Sequence, residues 1–92
     1  MASPAEKWHI RFERSAEKEF RKLDPQVSRR ILAYLHERVA PSPRKLGEPL
    51  HGDRFGAYWK YRVGDYRIIA EIHDAEILIM VLHIGHRREV YR

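Results

Sequence analysis

Gly64-Asp65 separates two runs of aromatic and β-branched residues, 58–63 and 66–72. A two-residue connection that contains glycine joins antiparallel strands through a tight turn, because glycine takes the positive φ such turns require. That dipeptide sets a register: Val63 faces Tyr66, Arg62 faces Arg67, Tyr61 faces Ile68 and Lys60 faces Ile69. Alternation then sorts the side chains onto two faces. Trp59, Tyr61, Val63, Ile68 and Ala70 form the face suited to pack on helices. Tyr58, Lys60, Arg62, Arg67 and Ile69 form the other, which is open and cationic. Arg62 opposite Arg67, with Lys60 diagonal to it, is a like-charge cluster that costs stability. Two readings stay open: the cluster binds an anion, or its long side chains splay into solvent where salt screens them.

The rest of the chain supplies what this ribbon packs against. Trp8, Ile10 and Phe12 alternate with His9, Arg11 and Glu13, the pattern of a half-buried strand. Ser15 is expected to cap a helix whose apolar positions are Ala16, Phe20 and Leu23. Asp24-Pro25 starts a second helix, since Asp accepts from free amides at the N-cap and Pro fits the first turn. Its apolar series Val27, Ile31, Leu35, Val39 steps by four, with Tyr34 alongside, and Pro41 and Pro43 end it. Residues 41–57 hold three prolines and three glycines and read as a loop, pinned by Leu46 and Leu50. A turn at 73–76 precedes a nearly continuous apolar run at 77–84, expected to be a central strand with His83 as a satisfied core residue. Gly85 ends that strand, and 86–92 form a basic tail. The predicted architecture is α+β: an N-terminal strand, a two-helix hairpin, then antiparallel strands in a twisted sheet with the helices on one face.

Ninety-two residues suffice for one domain, 1–92, with 1–6 as a loose tail. The chain has no cysteine, which excludes disulfide scaffolds, thiolate zinc sites and cysteine nucleophiles. Eighteen Lys and Arg against thirteen Asp and Glu leave a formal charge of +5, so polyanions are plausible partners. No apolar run approaches the ~18 residues of a spanning helix, and residues 1–6 lack the apolar stretch of a signal peptide. A cytoplasmic protein with no membrane partner is expected.

These residues reach a known family. The strand followed by Ala16-x-x-Glu19-Phe20-x-x-Leu23, the Lys45-Leu46 … Leu50-x-Gly52 loop, the Tyr61-Arg62-Val63-Gly64-Asp65-Tyr66-Arg67-Ile68 hairpin and the closing Gly85-His86-Arg87-Arg88-Glu89-Val90-Tyr91 run across nearly the whole chain. In them the chain resembles the RelE/ParE superfamily of bacterial type II toxins. One fold serves two activities there, so the site has to choose between them. RelE-like members are messenger RNA interferases that enter the ribosomal A site and cut the bound codon. ParE-like members poison DNA gyrase and lack the cutting residues.

The RelE-like pattern matches at Lys60, Arg67, Arg87 and Tyr91. The resemblance therefore implies a ribosome-dependent endoribonuclease with no cofactor and no metal, and a cognate antitoxin, the ribosome and mRNA as partners. The alternative is a gyrase inhibitor of the same fold. The chain departs from the pattern at Tyr58, where a second lysine is usual, and carries His86 at a variable position.

Metal-free cleavage proceeds by attack of the ribose 2′-OH on the neighbouring phosphorus. It needs a base for that hydroxyl, cations for the phosphorane and an acid for the departing 5′-oxygen. Arg67 suits a phosphate clamp, being planar, always charged and able to donate two bonds. Arg87 suits charge stabilisation on the leaving side, since a guanidinium hardly gives up a proton. Lys60 or Tyr91 is left as the base. Tyr58, Arg62, His86, Arg88, Lys45 and Arg54 are expected to contact RNA, and the helix cations Lys18, Arg21, Lys22, Arg29 and Arg30, with Arg44, to grip ribosomal RNA.

Overall fold

The computed structural model describes residues 7–50 and 57–86. In chain order it contains β1 (His9–Phe12), α1 (Arg14–Arg21), α2 (Pro25–Tyr34), a π-helical turn (Leu35–Val39), β2 (Glu48–Pro49), β3 (Tyr58–Val63), β4 (Tyr66–His73) and β5 (Leu78–His86). The strands form one sheet in the order β1-β5-β4-β3-β2. The hairpin register is the expected one, from Tyr58 opposite Glu71 to Val63 opposite Tyr66. Positive φ falls on Gly64, at 61°, and not on Asp65, which is the type II′ pattern. The Arg30 guanidinium lies 3.0 Å from where a Gly64 side chain would begin, so α2 closes over the turn.

The sheet is mixed. β5 runs antiparallel to β4 but parallel to β1, from His9 opposite Leu78 to Phe12 opposite Val81. A parallel neighbour needs a crossover, and α1, α2 and the hairpin supply it. Alternation alone identifies β1 as half-buried; it does not say which strand β1 joins. Two further expectations need correction. Ser15 does not cap α1; Glu13 occupies that position, and the Ser15 hydroxyl donates to Glu13 Oε1 at 2.6 Å. The reason is that Glu13 N–H bonds to Val81 C=O at 2.8 Å, so the sheet sets where the chain turns into the helix. The stretch at 41–57 is also not all loop, because Glu48 and Pro49 form the short edge strand β2 against Trp59 and Lys60. A proline is tolerated there because an edge strand need not donate on its outer side.

The Asp24-Pro25 cap forms as expected, with Asp24 Oδ1 accepting from Gln26 N–H at 2.8 Å. The four-residue apolar step buries Ile31, Leu35 and Val39 fully. Beyond Tyr34 the helix widens into the π turn, with Ala40 N–H bonded to Leu35 C=O at 2.8 Å. The wider turn brings Leu35, Val39 and Ala40 to the core together before Pro41 and Pro43 stop it. Across from them lie Trp59, Tyr61 and Val63 of β3, Ile68, Ala70 and Ile72 of β4, and Ile79, Val81 and Ile84 of β5. Each fully buried aliphatic side chain contributes about 1.5–3 kcal/mol.

A bulge between Ile69 and Ala70 interrupts the β4–β5 ladder: Ile69 pairs with His83 and Ala70 with Val81, leaving Leu82 extra. The extra residue reverses the alternation of β5. His83 therefore leaves the core face, and its side chain is 42% exposed rather than buried among aliphatics.

Candidate active site

Lys60, Arg62 and Arg67 come from the two strands of the hairpin, and the register brings all three to the face away from the helices. Arg62 is exposed, directly opposite Arg67 on one side; Gly85 is opposite Arg67 on the other. Arg67 itself is not open. It is 8% exposed and is the one buried charged residue among those described. A central-strand position between β3 and β5 explains the burial. Taking a guanidinium out of water costs free energy that packing alone does not return. Arg67 forms the floor of a cleft of about 210 Å³, lined also by Gly47, Glu48, Lys60, Tyr61 and Arg62.

Glu48 is a cleft residue that the sequence pattern did not single out. Its Oε2 lies 3.4 Å from Lys60 Nζ, so the lysine head is held beside Arg67 rather than swinging free. The sequence signal for it is faint: a glycine before an acid and a proline, within a segment that otherwise reads as loop. Gly47 makes the approach possible. Its φ is 69°, and a side chain there would collide with the Lys60 carbonyl and stand 2.8 Å from the Tyr61 ring. Only glycine accommodates both demands.

Tyr61 backs the cleft from the core side. Its hydroxyl donates to Pro43 C=O at 2.5 Å, and Trp59 Nε1 donates to Leu46 C=O at 2.6 Å, so both aromatics tie the β2 loop to the sheet. Burial pushes the Tyr61 phenol above its usual range, the neighbouring Tyr34 phenol adds to this, and Arg44 opposes it. Tyr61 therefore keeps its proton and anchors the loop. Arg44 makes a two-pronged contact with Asp74, at 2.8 and 3.0 Å, and the Asp74 carboxyl is held below its usual range chiefly by those hydrogen bonds.

The other expected residues are placed less uniformly. Tyr58 is exposed on the same face as Lys60, 40% accessible. Lys45 is exposed on the turn before β2. His86 pairs with Tyr66, their rings 5.4 Å apart and nearly perpendicular, on the side of the strand away from Arg67. Arg54, Arg87, Arg88 and Tyr91 lie outside the described residues. Of the helix cations, Arg21 is paired with Glu17, while Lys18, Lys22, Arg29 and Arg30 are exposed. A larger depression of about 770 Å³ runs along β1, lined by Lys7–Arg11, His36, Glu76 and Leu78, and shares no residue with the cationic cleft.

Comparison with known proteins agrees with the fold and divides on the branch. The family model described as the ParE toxin of the type II toxin-antitoxin system matches residues 10–91. Two curated relatives carry the other name: Toxin RelG of Mycobacterium tuberculosis is 26% identical over 90% of this chain and 94% of its own. Toxin RelE of the same organism is 26% identical over 92% and 87%. Among solved structures, the isolated E. coli RelE toxin superimposes with a TM-score of 0.75 at 30% identity, covering 91% of this chain and 90% of that one. A mutant E. coli RelE bound to a peptide of the antitoxin RelB gives 0.76 at 27% identity, covering 94% and 92%. The match along residues 10–91, on this sheet and this hairpin, means that the chain belongs to the RelE/ParE superfamily of type II toxin-antitoxin toxins.

Proposed function

We propose that this toxin is a RelE-like, ribosome-dependent mRNA endoribonuclease that cuts in the A site by metal-independent 2′-OH attack and so stops translation. The observation that carries the reading is Arg67, a guanidinium kept 8% exposed at the floor of a cleft shared with Lys60 and Arg62. A phosphodiester entering the cleft meets Arg67 as clamp and Lys60 at its side. Arg87 stabilises the leaving side, and Tyr91 or Lys60 takes the 2′-OH proton. Tyr58, Arg62, His86, Arg88, Lys45 and Arg54 hold flanking RNA. The whole chain acts as one toxin domain in the cytoplasm, where ribosomes are. Among the described residues no helix is long and apolar enough to cross a membrane.

A cognate antitoxin silences the toxin by covering this face. RelE neighbours solved with their antitoxins support that partnership. The name of the matching family model favours a second reading, a ParE-like gyrase inhibitor of the same fold. Induction in cells, followed by primer extension along a translated message, separates the two. Cuts confined to translated codons, absent with Arg67→Ala, are expected. Intact message with DNA breaks and an SOS response would favour gyrase.

A further inference from the structure

We propose that Glu48 is the general base that takes the 2′-OH proton, in place of Lys60 or Tyr91, an inference that rests on the nuclease reading. Glu48 lines the same cleft of about 210 Å³ as Lys60, Arg62 and Arg67. It lies opposite Lys60 across the β2–β3 pair, and its Oε2 is 3.4 Å from Lys60 Nζ. A ribose and phosphate that enter this cleft meet the cations and the carboxylate together. Among the described residues that line it, Glu48 is the sole acid. Glu71 shares the outer face of β4 but sits opposite Tyr58, outside the cleft, with its Oε1 2.9 Å from His73 Nε2.

The chemistry selects the carboxylate. A base must have lost its proton before the reaction begins. At neutral pH an ordinary carboxylate has done so, whereas an ordinary amine or phenol has not. Lys60, as an ammonium beside that carboxylate, is then a ligand for the charge on the phosphorane and not the proton acceptor.

The backbone holds this base in place. Gly47 before it has a φ of 69° and packs against the Lys60 carbonyl. Pro49 after it confines Glu48 to extended backbone. Leu50 N–H bonds to Tyr58 C=O at 3.0 Å on one side, and Trp59 Nε1 donates to Leu46 C=O at 2.6 Å on the other. The Glu48 side chain is 64% exposed, so RNA reaches it without displacing the strand.

In the step proposed, the 2′-oxygen bonds to phosphorus while its proton passes to a Glu48 carboxylate oxygen. Arg67 and Lys60 hold the phosphorane charge. The P–O5′ bond breaks, and the 5′-oxygen takes a proton from water. The hydroxide left behind removes the proton from Glu48. A 2′,3′-cyclic phosphate, a 5′-OH and the original carboxylate remain.

The test measures single-turnover cleavage by purified full-length wild type, Glu48→Gln and Glu48→Asp on ribosomes programmed with message, between about pH 6 and 8. The groups facing Glu48 in the cleft are Lys60, Tyr61 and Arg62 of β3 and Arg67 of β4. Amines, phenols and guanidiniums ordinarily titrate above that range. The wild-type rate is expected to stay level within about threefold, because a carboxylate is ionised throughout. Glu48→Gln should cut about 10²–10³-fold more slowly at neutral pH and speed up about tenfold per pH unit, as hydroxide replaces the lost base. Its affinity for message with a 2′-deoxy residue at the scissile position should equal or exceed that of wild type. Glu48→Asp keeps the carboxylate and should give an intermediate rate with a level profile. A wild-type rate that climbs about tenfold per pH unit overturns the assignment in favour of an amine or phenol base. So does wild-type cleavage by Glu48→Gln. A slow Glu48→Gln with a level profile also overturns it, and marks Glu48 as a residue that only aims Lys60. If wild type does not cut message at all, the nuclease reading falls and this inference with it.

Discussion

Arg67 and Ile68 are adjacent on one strand, and both are almost closed to solvent. Ile68 faces the helices among aliphatic neighbours, where burial stabilises the fold. Arg67 faces the other way, toward Lys60 and Arg62, where a charge rather than an aliphatic group is buried. A β-strand turns successive side chains to opposite faces, so one hairpin carries a core on one side and a cationic surface on the other. The core face is the one that makes the sheet rigid. The cationic face uses that rigidity to hold like charges together, which flexible loops would let drift apart.

The largest effects should separate these two residues. Arg67→Ala is expected to slow message cleavage at least about 10²-fold while the urea midpoint stays close to wild type. Ile68→Ala is expected to cost about 2–5 kcal/mol of stability, with normal cleavage by the fraction still folded. Exchange of those phenotypes would break the comparison. Gly47→Ala lies between them, because it forces a side chain onto the Lys60 carbonyl at a positive φ. A loss of about 1–3 kcal/mol and a parallel fall in cleavage are expected from chemical denaturation and the rate assay, since Glu48 can no longer reach Lys60.

A smaller effect sharpens the contrast from the far end of the hairpin sheet. Ile77 has a φ of 50° at the β4–β5 turn, and a β-branched residue is strained there. Ile77→Gly should raise stability by up to about 1 kcal/mol, seen as a higher thermal midpoint with cleavage unchanged. The smallest effect is in pH. Tyr61 has its affinity for the proton raised by folding, so its contribution is full below its ordinary value of 10.0 and declines as pH rises above it. Asp74 is the opposite case: its contribution is present above 3.8 and is lost as pH falls. Because Asp74 is 64% exposed, that loss should be under about 1 kcal/mol and should shrink further in salt. Denaturation midpoints across pH read both.

The hairpin was legible because its information is local. A glycine at a two-residue turn sets the register, and the register alone brings Lys60, Arg62 and Arg67 together. Asp24-Pro25 was legible for the same reason. Features that depend on distant partners were not. The parallel pairing of β1 with β5 joins Phe12 to Val81, and the Glu19–His83 pair spans 64 positions of sequence. Nothing in either local pattern names its partner. The bulge at Leu82 is a further case, since an apolar run carries no alternation to show where the faces exchange. The same apolar run points His83 to the core, and the local pattern points to Ser15 as the cap, because neither the exchange of faces nor the sheet bond of Glu13 has a local signal.

Single-turnover cleavage of message in the A site of purified ribosomes, at saturating toxin, tests the cationic cleft most directly. Wild type should leave a 2′,3′-cyclic phosphate and a 5′-OH, with Arg67→Ala cutting at least about 10²-fold more slowly though folded and ribosome-bound. Equal cutting by both proteins, or no cutting by wild type, would contradict the claim that the buried guanidinium holds the scissile phosphate.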